Sequence, residues 1–268
     1  MSSWMQGDVS TNGMRMHYYR TGGDKPPLVL CHGFSDNGLC WTRVADALEA
    51  DYDVIMIDAR GHGLSDAPEG EYGPQAMAAD VAGLIEALEL GRPMVMGHSM
   101  GGATTLNLAA DYPELVSRAI LEDAGAYQIP APTDDAPQRN NLAVWAEEMQ
   151  SKTLEEIMAM GREDSPEWDE IEFGPWAAAK LQLRAEAMGV RARPRPPWRE
   201  VFGRVQCPLL LITADNDKGA IVTPENAAEA ARINDKVEVV HIPGAGHNVR
   251  REQFEPFMDA VREFLDRG

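Results

Sequence analysis

The sequence is short of basic residues. Its 24 lysines and arginines face 43 aspartates and glutamates, which gives a formal net charge of −19 over 268 residues. Phosphate binding requires a basic surface, so this balance argues against a nucleic-acid partner and against an anionic membrane surface. The acidity is a common solubility feature, and it modestly favours neutral or cationic substrates over anionic ones.

Cysteines and long apolar runs are also scarce. The three cysteines, Cys31, Cys40 and Cys207, match no zinc-ligand spacing, and an odd number does not form a disulfide framework. No apolar stretch is long enough to cross a bilayer, and residues 1–10 lack a basic segment followed by an apolar run. We therefore expect a cytoplasmic protein with reduced thiols and no membrane partner.

Short apolar runs alternate with amphipathic segments along much of the chain. The predicted strands are 28–31, 53–57, 94–96, 119–121, 209–213 and 237–242, and the predicted helices are 41–48, 75–90, 102–110, 224–233 and 253–265. This alternation predicts an α/β fold with a mostly parallel central sheet and helices on both faces.

One segment interrupts the alternation. Residues 126–137, rich in proline, alanine and aspartate, indicate a linker, and the signal over 138–188 is mostly helical. We predict a core of residues 1–126 and 200–268, with an inserted helical cap over 127–199. The tryptophans and methionines of the insert favour an apolar substrate pocket. The run from Arg191 to Arg199 is either a solvated hinge or a contact for a substrate carboxylate.

The strongest motif surrounds Ser99. The sequence Gly97-His98-Ser99-Met100-Gly101 matches the G-x-S-x-G nucleophile elbow, with a predicted strand before it and a predicted helix after it. Glycines are needed there because the serine occupies a strained, crowded turn. The alternative is a chance glycine-rich turn or a phosphate-binding loop, but neither G-x-x-x-x-G-K nor G-x-G-x-x-G is present at this position.

Acyl transfer also requires a base and donors for the oxyanion. The backbone N–H groups of Phe34, after the first predicted strand, and of Met100, after the nucleophile, are the expected donors. His247 lies between the last predicted strand and the last predicted helix, where it is the expected base. We expect neither a metal ion nor an organic cofactor.

With these residues in place, the chain resembles the α/β-hydrolase fold family, of the serine esterase and lactonase type with a helical lid. Residues 31–34, 58–65, the Ser99 motif and Gly246-His247 carry the resemblance. It implies a Ser-His-Asp triad that hydrolyses small-to-medium apolar esters or lactones through an acyl-enzyme. It also implies a structural role for 58–65. Carbon–carbon bond hydrolysis and cofactor-free perhydrolysis stay open, as does a ligand sensor built on a hydrolase scaffold.

The resemblance leaves the acid of the triad undecided. Asp217 follows the strand before the last one, which is the commonest family position, but Ala214 replaces the usual glycine and the following loop is long. Asp123 lies 24 residues after Ser99, at the alternative family position. The two are equally supported, and Asp215 is the third candidate. Such an acid orients the histidine and stabilises its imidazolium form.

Overall fold

The computed structural model describes residues 4–126, 137–188 and 196–267. These residues contain one eight-stranded sheet, with the strand order β1-β2-β4-β3-β5-β6-β7-β8. The strands are β1 (Met5–Thr11), β2 (Met14–Arg20), β3 (Pro27–Cys31), β4 (Asp53–Ile57), β5 (Met94–His98), β6 (Arg118–Glu122), β7 (Leu209–Thr213) and β8 (Val237–His241). From β4 to β8 the sheet is parallel, whereas β2 pairs antiparallel with both β1 and β4.

Helices cover both faces of this sheet. The described helices are α1 (Thr42–Leu48), α2 (Pro74–Ala87), α3 (Met100–Asp111), α4 (Pro137–Gln150), α5 (Leu154–Asp164), α6 (Glu170–Gln182), α7 (Ala185–Met188), α8 (Trp198–Arg204), α9 (Pro224–Ile233), α10 (Val249–Glu252) and α11 (Phe254–Asp266). One apolar core joins the sheet to α2, α3, α8 and α9, and a second joins it to α1 and α11. Successive β3 residues such as Val29 and Leu30 enter opposite cores, because strand side chains alternate. The predicted α/β class is confirmed.

The antiparallel pair β1–β2 was not predicted from the sequence. Its strands lie at one edge of the sheet and alternate buried with exposed or half-buried residues, several of them polar. Asp8 lies opposite His17 across the ladder, for example, and their side chains are 2.8 Å apart. An edge strand with such pairs carries too few apolar residues to stand out as a hydrophobic run.

The loop over residues 58–65 forms hydrogen bonds and an ion pair with other parts of the core. The Asp58 carboxylate accepts hydrogen bonds from the Gly38 and Leu64 N–H groups at 2.7 and 2.8 Å. The Arg60 guanidinium binds both oxygens of the buried Asp80 carboxylate at 2.6 Å. A buried bidentate pair fixes the two groups it joins, so the loop is tied to α2 and to the segment after β3.

Five of the described helices, α4 to α8, lie between β6 and β7, and α6 packs against α1, α4 and α5. The cap over 127–199 stays a prediction, since residues 127–136 and 189–195 lie outside the described residues. Most of the predicted linker falls in the first of these ranges, and half of the arginine-rich run falls in the second. Beyond it, α8 packs against α3 and α9. No helix in the described ranges is long and apolar enough to cross a membrane.

Candidate active site

Ser99 forms the turn between β5 and α3. Its backbone has φ 51° and ψ −110°, a conformation that residues other than glycine rarely adopt. Three backbone hydrogen bonds hold it there. The Ser99 N–H donates to the Glu122 carbonyl at 3.0 Å, and the Ser99 carbonyl accepts from Ala103 and Gly125 at 3.0 and 2.9 Å. The strain is therefore fixed by β6 on one side and α3 on the other, and the side chain is left partly exposed.

Two glycines of the motif allow α3 to approach the sheet closely. A Cβ on Gly101 would lie 2.0 Å from the Cys31 carbonyl oxygen, and a Cβ on Gly97 would lie 2.2 Å from the Gly101 carbonyl oxygen. Both obstacles are backbone atoms, so they cannot turn away. Any larger residue at either position must move α3 relative to β3 and β5.

We expect Gly101→Ala to lower the free energy of unfolding by about 1–3 kcal/mol or more, since it overpacks a rigid backbone contact. Gly203→Ala is the matched control, because a Cβ at that exposed position in α8 meets only Ile233 Cγ2, at an ordinary van der Waals distance of 3.7 Å. It should raise stability by about 0.5–1 kcal/mol through helix propensity. Urea denaturation measures both, and equal stability of the two variants would contradict the close-approach argument.

His247 lies on the loop between β8 and α10, and its neighbours fix that loop. The Asn248 N–H donates to the Glu252 carboxylate at 3.1 Å. The His247 carbonyl oxygen lies 2.8 Å from Nε2 of His98, the residue before the serine. Burial, with the charge of Arg250, holds the pKa of His98 well below its usual range. His98 is therefore neutral, and its Nε2–H donates to the His247 carbonyl.

Ser99, His247 and Asp123 form a hydrogen-bonded chain. The His247 Nε2 lies 3.0 Å from Ser99 Oγ, and the His247 Nδ1 lies 2.6 Å from Asp123 Oδ2. A carboxylate only accepts, so Nδ1 carries the hydrogen and Nε2 accepts from the serine hydroxyl. Asp123 is fully buried, and its carboxylate also accepts from the N–H groups of Ile221 and Val222, each at 2.9 Å.

The other two candidate aspartates lie elsewhere. Asp217 is exposed in a single 3₁₀ turn, Asn216–Lys218. Asp215 lies 3.0 Å from His241 Nε2 and accepts from the Gly244 N–H at 2.7 Å, so it joins the ends of β7 and β8. Of the three, Asp123 is the one that the structure places against His247.

The predicted oxyanion donors come from segments beside Ser99, since a Cβ on Gly33, the residue before Phe34, would lie 3.6 Å from Ser99 Cβ. Met100 is the first residue of α3, and Phe34 lies in the loop after β3. Within the described part of the chain, neither backbone N–H donates a hydrogen bond. The first N–H groups of a helix have no partner inside the helix, and they lie at the positive end of its dipole. Both groups are therefore available to an anionic oxygen.

Apolar side chains from the segment between β6 and β7 pack beside these donors. Trp145 and Leu183 belong to one small cluster with the side chains of Phe34 and Met100. A cleft of about 560 Å³ runs along residues 181–186 and is lined also by Gly63, Leu64 and Gln150, and its lining includes neither the triad residues nor Phe34 and Met100. Trp168 and Trp176 have structural surroundings, since Trp168 lies over the Arg251 guanidinium and Trp176 over the Lys180 ammonium.

A buried charge cluster that was not predicted from the sequence lies beside this site. Its members, each at most 4% exposed, are Asp36, Glu122, Glu172, Lys180, Arg250 and Arg251. The Asp36 carboxylate pairs with Lys180 at 3.1 Å, Arg251 at 3.0 Å and Arg250 at 3.4 Å. Arg250 also pairs with Glu122, and Arg251 with Glu172, so three acids face three bases. The partners are far apart along the chain, so their pairing is not visible in the sequence. The available signal was that some of these charged residues lie next to motif residues.

The electrostatics of this cluster follow from its pairing. Burial by itself raises the pKa of Asp36, but the charges of Arg251, Lys180 and Arg250 outweigh it and hold that pKa well below the usual range. Burial lowers the pKa of Lys180, and the Asp36 charge opposes the shift. Within the described residues, no three His, Cys, Asp or Glu side chains are arranged to hold a metal ion.

The fold agrees with comparisons to known proteins. The sequence profile of the α/β-hydrolase fold matches residues 26–250 of this chain. The protein therefore belongs to the α/β-hydrolase fold family, which confirms the resemblance drawn from the sequence motifs.

Relatives with this fold cover nearly the whole chain. It is 29% identical to the N-formylmaleamate deformylase of Pseudomonas putida, over 97% of this chain and 96% of that protein. It is also 29% identical to the 2-(acetamidomethylene)succinate hydrolase of Mesorhizobium japonicum, over 92% and 90% of the two chains. The solved enol-lactonase of Burkholderia xenovorans superimposes with a TM-score of 0.77 at 25% identity, over 97% and 99%. The family and these relatives support a hydrolase.

Proposed function

We propose that this protein is a serine hydrolase that cleaves carboxylic ester bonds, including those of lactones, through an acyl-enzyme on Ser99. The observation that carries the proposal is the hydrogen-bonded chain from Ser99 Oγ through His247 to the Asp123 carboxylate. A serine hydroxyl is a weak nucleophile unless an adjacent base removes its proton, and the base in turn needs a group that orients it.

The proposed reaction has two halves. In the first, His247 Nε2 takes the Ser99 proton as Oγ attacks the ester carbonyl carbon, and the imidazolium then protonates the departing alcohol. In the second, His247 deprotonates a water molecule that attacks the acyl-enzyme, and the proton returns to Ser99 as the carboxylic acid leaves. Asp123 stays ionised and stabilises the imidazolium in both halves.

The tetrahedral intermediate in each half carries a negative oxygen. We assign the backbone N–H groups of Phe34 and Met100 as its donors, because both come from segments beside Ser99 and are unpaired within the described residues. The α3 N-terminus adds a favourable dipole. Such preorganised donors stabilise the transition state more than the ground state, and each contributes a factor of about 10²–10³ in kcat.

The substrate proposed is a small-to-medium apolar ester or lactone. Phe34, Met100, Trp145 and Leu183 supply an apolar wall beside the serine, and apolar side chains line most small-molecule sites. We propose that residues 127–199 act as a cap over this site, since α4 contributes Trp145 to the wall and the segment between α6 and α7 contributes Leu183.

A second candidate reaction is hydrolysis of an N-acyl bond. The observation in its favour is the pair of relatives named as a deformylase of N-formylmaleamate and a hydrolase of 2-(acetamidomethylene)succinate, each aligned over at least nine-tenths of both chains. The same groups serve this chemistry, because His247 protonates a departing nitrogen as readily as a departing oxygen.

The test compares p-nitrophenyl esters and p-nitroanilides that carry the same short to medium acyl chains, together with a set of lactones. A fluorophosphonate probe in parallel measures covalent labelling of Ser99. We expect stoichiometric labelling and a higher kcat/KM for esters or lactones than for the matched anilides. Faster anilide turnover would favour the second reaction, whereas absence of both turnover and labelling would contradict acyl-enzyme chemistry altogether.

A further inference from the structure

Lys180, on the inserted helix α6, contacts the loop that follows β3. Its Nζ lies 2.9 Å from the Ser35 carbonyl oxygen, 3.0 Å from Ser35 Oγ and 3.1 Å from Asp36 Oδ1. An ammonium has three N–H donors, so these acceptors use all of them. The side chain is 3% exposed. A buried cation fully occupied in this way resists displacement, because breaking any of its contacts leaves polar groups unsatisfied away from water.

The loop that Lys180 contacts carries one of the proposed oxyanion donors. Phe34 immediately precedes Ser35, and Ser35 has φ 62°, in the left-handed region that is costly for residues other than glycine. The Asp36 N–H donates to the Gly33 carbonyl at 3.2 Å, which closes the turn. The direction of the Phe34 N–H therefore depends on the contacts that keep Ser35 in this conformation.

The Asp36 carboxylate is held from its other side by the segment after His247. Asp36 Oδ2 lies 3.0 Å from Arg251 and 3.4 Å from Arg250. Both arginines are in α10, which begins two residues after the histidine. Asp36 thus joins three parts of the site. These are the inserted helix α6 through Lys180, the loop after β3 that carries Phe34 (the oxyanion loop), and the loop that carries His247.

We propose that Lys180 is a positioning residue that couples the inserted helices to the oxyanion loop and orients the Phe34 N–H toward the substrate carbonyl. This inference rests on the proposed function, because it takes the Phe34 N–H as an oxyanion donor. Lys180 acts through Ser35 and touches no substrate. A role limited to docking α6 would alter the stability of the protein and leave the rate per folded active site unchanged.

The test is Lys180→Met, which removes the ammonium and keeps the side-chain length. We expect kcat for ester hydrolysis, per active site titrated with fluorophosphonate, to fall about 10- to 100-fold, with KM changed less than about three-fold. An oxyanion donor acts mainly in the transition state. Affinity for a trifluoromethyl ketone, which forms a tetrahedral adduct with Ser99, should therefore fall by the same factor. Affinity for the product carboxylate should stay unchanged.

Gln182→Met is the matched control. Gln182 Oε1 accepts from Asn37 Nδ2 at 2.8 Å, so it joins the same helix to the same loop without contacting Ser35. Its kcat per titrated site should stay within about two-fold of the parent. Lys180→Gln is a second test variant, neutral but polar and one atom shorter, and it should show the same loss of kcat if Lys180→Met does not fold.

A kcat per titrated site within about two-fold of the parent, in whichever Lys180 variant folds, overturns the inference. An equal loss in Gln182→Met also overturns it, because general docking of α6 would then explain the effect. Failure of the proposed function is seen separately, as ester hydrolysis that persists in Ser99→Ala. If Ser99→Ala is inactive and the Lys180 variants are normal, only the positioning role is wrong.

Discussion

Ser99→Ala lowers kcat for ester hydrolysis by about 10⁵- to 10⁶-fold, the expected loss when the attacking atom of an acyl transfer is removed. The change deletes only Oγ. The N–H groups of Phe34 and Met100 stay in place, so the residual rate reflects binding and oxyanion stabilisation alone. The alanine must adopt the same φ of 51° as the serine does, and the backbone hydrogen bonds of the turn are unaffected. The thermal midpoint should therefore change little.

Ser10→Ala is the matched control for this loss. Ser10 is exposed on the edge strand β1 and keeps parental activity if the effect is specific to the nucleophile. Steady-state kinetics measure kcat, and circular dichroism with a thermal melt reports the fold. Ester turnover by Ser99→Ala above about one-hundredth of the parental value would contradict Ser99 as the nucleophile.

Asp123→Asn is expected to lower kcat by about 10³- to 10⁴-fold, because it reverses the hydrogen-bonding role of one side-chain atom. The carboxylate now accepts from His247 Nδ1 and from the N–H groups of Ile221 and Val222. An asparagine has one acceptor oxygen for these donors. If that oxygen faces the two amides, its NH₂ faces His247 and forces Nδ1 to become the acceptor. The proton then sits on Nε2, which can no longer accept from Ser99.

Two further variants test which of the three aspartates is the acid of the triad. Asp217→Asn should keep kcat within about two-fold of the parent, because Asp217 is exposed and makes no described contact with His247. Asp215→Asn loosens the hydrogen bond to Gly244 and should lower stability more than kcat. A larger loss of kcat in Asp217→Asn than in Asp123→Asn would move the acid to the strand before the last one and refute the present assignment.

The core and the nucleophile turn were predictable because their signals are local. Each inner strand is a short apolar run buried on both faces, and the helices between them show helical periodicity. The nucleophile turn has a local sequence signature, because Gly97 and Gly101 lie two residues on either side of Ser99, although the backbone that crowds Gly101 belongs to β3. The helix boundaries were less well predicted. The α3 helix begins at Met100 rather than at residue 102, and the short helix α10, which lies before the last predicted helix, was not predicted.

The buried charge cluster was not predictable in the same way. Asp36 and Arg251 are 215 residues apart, and a charged residue in isolation indicates a solvated surface. These side chains are tolerated inside because each finds an opposite charge, and only the folded chain brings the charges together. Removing one partner would leave an uncompensated buried charge, so the cluster fixes the relative positions of α6, α10 and the loop after β3.

The sequence by itself determined the α/β class, the turn at Ser99 and the loop that carries His247, because strand and helix periodicity and crowding at a turn are properties of neighbouring residues. It left Asp123 and Asp217 equal, since both follow buried strands whose carboxyl ends meet at one edge of the sheet. Tertiary structure separated them. The chain returns to Asp123 at Ile221, 98 residues later, and donates backbone N–H groups that hold its carboxylate against His247.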